Sequence, residues 1–78
     1  MTSPYSVRVA PKVKEQFSKL SLKQKKTILK VAEALAINPR PPGVQKIEGM
    51  MGLYSETVEN FRLIYKIENQ EVWLLLIK

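Results

Sequence analysis

The charged side chains in this sequence are mostly basic, 13 Lys and Arg against 7 acids. Arg62 stands inside Phe61-Arg62-Leu63-Ile64-Tyr65, with apolar or aromatic residues around it. Lys23, Lys26 and Lys30 recur at i, i+3 and i+7, a spacing that puts three ammonium groups on one helical face. There is no cysteine, so thiol chemistry and a disulfide framework are excluded. There is no histidine either, which removes the usual general base near neutral pH and the commonest metal ligand. What remains is the chemistry of fixed cations, which attract phosphates and other polyanions.

The charge is unevenly spread. The chain carries a net +6, and residues 1–51 hold ten Lys/Arg against three acids, while residues 52–78 hold three against four. Such an excess favours nucleic acid, the ribosome or an acidic protein as partner through long-range attraction. The plain alternative is a lysine-rich helix that is simply soluble. With 45% hydrophobic and 26% charged residues over 78 positions, the chain reads as one globular domain spanning 1–78. A core this small barely offsets conformational entropy, so a partner or self-association is expected to help. Met1-Thr2-Ser3-Pro4 leads straight into a strand-like run, and no apolar run approaches the roughly 20 residues that span a bilayer. No signal peptide, no membrane contact and a cytoplasmic location are expected.

The elements that position these cations follow from periodicity. Tyr5-Ser6-Val7-Arg8-Val9 alternates as a half-buried strand does. Pro11 suits the first turn of a helix, and Val13, Phe17 and Leu20 give it an apolar stripe. Ser21 and Gln24 form a capping-box pattern that starts a second helix. Its core stripe is Ile28, Val31, Ala32 and Leu35, and Pro39 ends it near Ile37-Asn38. Residues 38–43 are a stiff proline-rich turn, and 44–52 read as a loop with Ile47, and Met50 beside it, tucked inward. Three strands close the chain: Leu53 to Val58, Phe61 to Ile67 and Val72 to Ile77. The last is apolar on both faces, as in a central strand or one inside an interface, and Trp73 and Tyr65 are expected in the core. The expected fold is α+β: an N-terminal strand, a two-helix hairpin, then a three-strand antiparallel meander. Both helices lie on one face of a four-stranded sheet.

In order and spacing these pieces resemble the RelE/ParE toxin superfamily of bacterial toxin–antitoxin systems. The match runs through Tyr5-Ser6-Val7-Arg8-Val9, the Lys19-Leu20-Ser21 break, Ala36-Ile37-Asn38-Pro39-Arg40-Pro41, Lys46-Ile47-Glu48-Gly49, Gly52-Leu53-Tyr54 and Phe61-Arg62-Leu63-Ile64-Tyr65-Lys66-Ile67. The resemblance implies a toxin held by a cognate antitoxin. Its RelE branch cuts mRNA on the ribosome without a metal or other cofactor, the RNA 2′-hydroxyl attacking the adjacent phosphate. Its ParE branch binds DNA gyrase. A third possibility is a non-enzymatic relic that still binds an antitoxin.

Carried over position by position, Arg62 matches the family's sheet arginine and is the implied catalytic residue, stabilising the scissile phosphate. The alternative for Arg62 is a surface pair with an acid on a neighbouring strand, Glu56 or Glu71. Lys23, Lys26, Lys30 and Lys46 are candidates for RNA or ribosome contact, and Tyr54 for stacking on a base. The family's basic pair after Tyr54 is replaced by Ser55 and Thr57, with Glu56 between them. The sequence stops at Lys78, before the family's Gly-x-Arg segment and terminal tyrosine, so those groups are expected to be missing. A partner is expected to cover apolar surface left beside that end.

Overall fold

The protein is described here by a computed structural model covering residues 5–49 and 52–78. Strand β1 is Ser6–Val9, with Val7 and Val9 turned inward and Ser6 and Arg8 outward, as alternation requires. Helix α1 is Pro11–Ser18, with the proline at its first turn and Val13 buried. Helix α2 is Leu22–Ile37. Ser21 caps it: the Gln24 backbone N–H donates to Ser21 Oγ, and the Ser21 N–H donates to Gln24 Oε1, satisfying two free helix-end donors. Its inward face is Ile28, Leu35 and Ala36, with Val31 and Ala32 half-buried beside them.

Four more strands follow: β2 (Gln45–Lys46), β3 (Leu53–Val58), β4 (Phe61–Glu68) and β5 (Glu71–Ile77). The sheet order is β1-β5-β4-β3-β2. Only β1 is parallel to its neighbour, β5. Both helices pack on one face, where Val13 and Leu35 meet Leu63, Tyr65, Val72, Leu74 and Ile77. The class is the α+β expected, with five strands where four were read. The extra strand lies in a segment read as a loop, because two residues, Gln45 and Lys46, show no period. Their pairing with Ser55 and Tyr54 is a tertiary event. Just before β3, Gly52 has φ +75°, and a Cβ there would stand 2.9 Å from the Ile67 carbonyl oxygen of β4, so this turn requires a glycine. Ile47 is half-buried, and Met50 lies outside the described residues.

The last strand departs from simple alternation. Tyr65 faces Leu74 and Ile64 faces Leu76, so Leu75 is an extra residue, a bulge. The buried set on β5 therefore shifts phase, from Val72 and Leu74 to Ile77. Trp73, expected in the core, lies instead on the face away from the helices, half-buried. Its Nε1 donates to Glu71 Oε1 at 3.3 Å. The reason is parity: Val72 and Leu74 take the inward positions on either side of it. Tyr65 is in the core as expected, fully buried, and its hydroxyl donates to the Pro39 carbonyl at 2.7 Å.

Candidate functional site

Strand β4 carries Arg62 between Phe61 and Leu63. Leu63 is fully buried on the helix side, so alternation sends Arg62 to the opposite, open face. The backbone there is fixed on both sides. The Arg62 N–H donates to the Lys78 carbonyl at 3.0 Å, and the Lys78 N–H to the Arg62 carbonyl at 2.9 Å. Thr57 is the partner of Arg62 on β3. Because Arg62 spends its backbone groups on Lys78, its pair with Thr57 is a non-hydrogen-bonded one, in which side chains approach most closely. Thr57, Arg62 and Lys78, with Glu59, Asn60 and Phe61, line a small cleft of about 260 Å³.

Neither acid proposed as a partner for Arg62 takes that part. Glu71 pairs with Arg8 at 2.9 Å. Glu56 points to the helix side with Tyr54 and Val58, the same face as its register partner Leu63. One of its carboxylate oxygens is buried without a partner, and desolvation raises its pKa above 4.5. Among the described residues no carboxylate forms an ion pair with Arg62. The acid that does line the cleft, Glu59, takes φ +53° in the β3–β4 turn, an uncommon conformation for a residue with a side chain, and accepts from Thr27 Oγ1 at 3.5 Å. That contact brings the first half of α2 to the rim of the cleft.

The proposed RNA-contacting residues do not form one surface with Arg62. Lys23, Lys26 and Lys30 are exposed on α2, within four residues of Thr27 in sequence. Lys46 is exposed on β2, opposite Tyr54. Tyr54 belongs to the helix side. Its ring stacks on Tyr65 with centroids 5.8 Å apart, and the Arg40 guanidinium lies 5.6 Å from its centroid. Arg40 Nε donates to Tyr54 Oη at 3.1 Å, and that hydrogen bond raises the Arg40 pKa. Burial, then the nearby Glu56 and Tyr54, push the Tyr65 hydroxyl above its usual 10, so it stays protonated at neutral pH. Tyr54, Tyr65 and Arg40 thus form a polar seam under the proline-rich turn, on the far side of the sheet from Arg62.

Two positioning groups were not read from the sequence. Gln16 forms paired hydrogen bonds with the end of β5: its Nε2 donates to the Ile77 carbonyl at 2.6 Å, and the Ile77 N–H donates to its Oε1 at 2.9 Å. Strand β1 pairs only as far as Leu74, so Gln16 satisfies backbone that no strand reaches. The signal was present, since Gln16 interrupts the apolar stripe of Val13, Phe17 and Leu20. Lys78 is the other, legible only once β4 and β5 are in register. A second, larger feature is an apolar groove of about 810 Å³ between β1, α1 and α2, whose lining includes Val7, Val9, Phe17, Leu29 and Ile37. Leu29 and Ile37 are large apolar residues left exposed there. No helix among the described residues is long and apolar enough to cross a membrane.

No protein-family model matches the chain, and no curated protein sequence matches it. Solved structures do. A chain of the archaeal RelE–RelB complex from Pyrococcus horikoshii is similar with a TM-score of 0.87 at 23% identity, over 96% of this chain and 93% of that one. A chain of the toxin–antitoxin complex RelBE2 from Mycobacterium tuberculosis is similar at 0.82 and 23%, over 96% of each. A chain of the chromosomal ParDE system from P. aeruginosa gives 0.67 and 16%, over 99% of this chain and 97% of that one. The strand order and the helical hairpin on one face are therefore parts of a known plan: this chain has the RelE-like toxin fold.

Proposed function

We propose that the protein is the toxin of a toxin–antitoxin pair and acts as a RelE-like, ribosome-dependent mRNA endonuclease that inhibits translation. The observation that carries this reading is Arg62: an exposed guanidinium on the open face of the sheet, on backbone bonded to Lys78, and ion-paired with no carboxylate among the described residues. A cation at that place favours the extra negative charge that forms when a 2′-hydroxyl attacks the neighbouring phosphate. The lysine face of α2 holds the ribosome, and Lys46 the RNA beyond the cleft. Two of the similar solved chains come from a RelE–RelB complex and a toxin–antitoxin complex, and the open apolar groove beside β1 supports the same kind of partner here. The whole acts as one domain, in the cytoplasm.

The test adds the protein to programmed ribosomes and maps mRNA 5′ ends. Cuts are expected with the native chain, and Arg62→Ala is expected to lower their rate by about a hundredfold. A second reading, binding to gyrase without nuclease chemistry, is favoured by one feature: after Tyr54 the open face offers no cation, since Ser55 is buried, Thr57 is neutral and Glu56 between them is turned inward. No mRNA cuts together with inhibited supercoiling would decide for it. Neither effect, with antitoxin still bound, would leave the role of an antitoxin-binding relic.

A further inference from the structure

Among the described residues the open face of the sheet carries four cations, and they divide into two pairs. At one end Arg8 is bridged to Glu71, and Lys66 to Glu68 at 3.0 Å. At the other end Arg62 and Lys78 are directly opposite each other across β4 and the end of β5, and neither forms an ion pair with a carboxylate among the described residues. Reciprocal backbone bonds put such a pair at about 5.5 Å between Cα atoms with both side chains on one face. Like charges placed directly opposite destabilise a sheet. Nothing in the packing requires either charge, since both residues are exposed. Thr57, on the other flank of Arg62 and also exposed, adds a hydroxyl to the same row.

We propose that Thr57, Arg62 and Lys78 form one phosphate-binding row that takes a phosphodiester of single-stranded RNA, with Lys78 supplying the second cation. This rests on the reading of the chain as an RNA-directed toxin. An anion relieves the repulsion between the two cations and is bound by both, while Thr57 donates a hydrogen bond to a phosphate oxygen. The cleft of about 260 Å³ has room for a phosphate and its flanking sugar, not for a duplex. Lys78 therefore takes over part of the charge that Ser55 and Thr57 do not provide. Glu59, a carboxylate that also lines the cleft, meets Thr27 Oγ1 at 3.5 Å.

The experiment titrates the full chain with a short, fluorescently labelled single-stranded RNA whose sugars are 2′-O-methylated, so that no cleavage occurs. Lys78→Gln and Thr57→Val are compared with the native chain, and each protein's melting temperature is measured alongside. Lys78→Gln is expected to weaken binding on the order of fivefold and to lower the slope of log affinity against log salt by about 0.7, the contribution of one single-strand phosphate contact. Its melting temperature is expected to stay level or rise, because a repulsive pair is removed. Thr57→Val is expected to weaken binding by about threefold with the salt slope unchanged. Unchanged affinity and slope in Lys78→Gln would overturn the row, while leaving the endonuclease reading to the ribosome assay. A native chain that does not bind this RNA would overturn it too. The Lys78 effect with no cuts on ribosomes would keep the row and sink the nuclease.

Discussion

Residues 62 and 63 are neighbours in β4, yet Leu63 is fully buried beneath the helices while Arg62 is exposed on the other side. The same division runs through the strand pair β3–β4. Tyr54, Glu56, Leu63 and Tyr65 face the helices, and Thr57 and Arg62 face away. On the helix side nearly every polar group has been given a partner within the chain. The Tyr65 hydroxyl has Pro39, and Tyr54 has Arg40. On the open side, at the Arg62 end, the charges have no such partners among the described residues. Side chains that are satisfied internally contribute to folding. Those held in place by the backbone but left unsatisfied are available to a ligand.

The comparison can be broken most strongly at Leu63. Leu63→Ala removes a fully buried side chain from the centre of the core, and an expected loss of about 2 to 5 kcal/mol should appear in denaturant unfolding. The neighbouring Arg62→Ala should change stability by no more than about 0.5 kcal/mol in the same measurement, so one residue of register separates structure from function. Equal losses at both positions would contradict the division of faces.

A smaller effect is expected at Tyr65. Tyr65→Phe keeps the ring and its stack on Tyr54 but leaves the buried Pro39 carbonyl without its donor, at a cost of about 1 to 2 kcal/mol. Because that hydroxyl lies across the sheet from Arg62, mRNA cleavage measured well below the melting temperature should be unchanged. A loss of cleavage with folding intact would place Tyr65 in the chemistry.

The smallest expected effect sharpens an exception on the helix side. Glu56 has a buried oxygen without a partner, and desolvation raises its pKa above 4.5. The folded chain therefore holds this proton more tightly than the unfolded chain does. The favourable contribution is complete below the usual carboxylate value and is lost as pH rises through the raised one. Glu56→Gln, which cannot ionise, should melt slightly higher than the native chain near neutral pH. The difference should vanish below about pH 4, where the native carboxyl is protonated in both states. A difference that did not depend on pH would point to packing instead of charge.

Much of this protein was legible as local pattern. The capping box of Ser21 and Gln24, the proline at the start of α1, the stop before Pro39 and the alternation of β3 and β4 each depend on residues a few positions apart. So does the placing of Arg62 opposite Leu63, which needs only the two-residue period of a strand. Local rules also correctly put Tyr65 in the core. They failed at Trp73, because which parity of β5 faces inward is set by what covers each face.

The tertiary structure alone decided the rest, since each remaining feature joins residues far apart in the chain. Pairing with β3 turned Gln45–Lys46 from loop into strand. The bulge at Leu75 changed which residues of β5 are buried, and Gln16 closed the backbone that β1 does not reach. Register placed Lys78 beside Arg62, turned Glu56 under the helices and separated Tyr54 from the face where the arginine stands. Sequence determines which side chains alternate and which helices start and stop, because those are contests between near neighbours. Which charges end up side by side is settled only when distant strands choose their register.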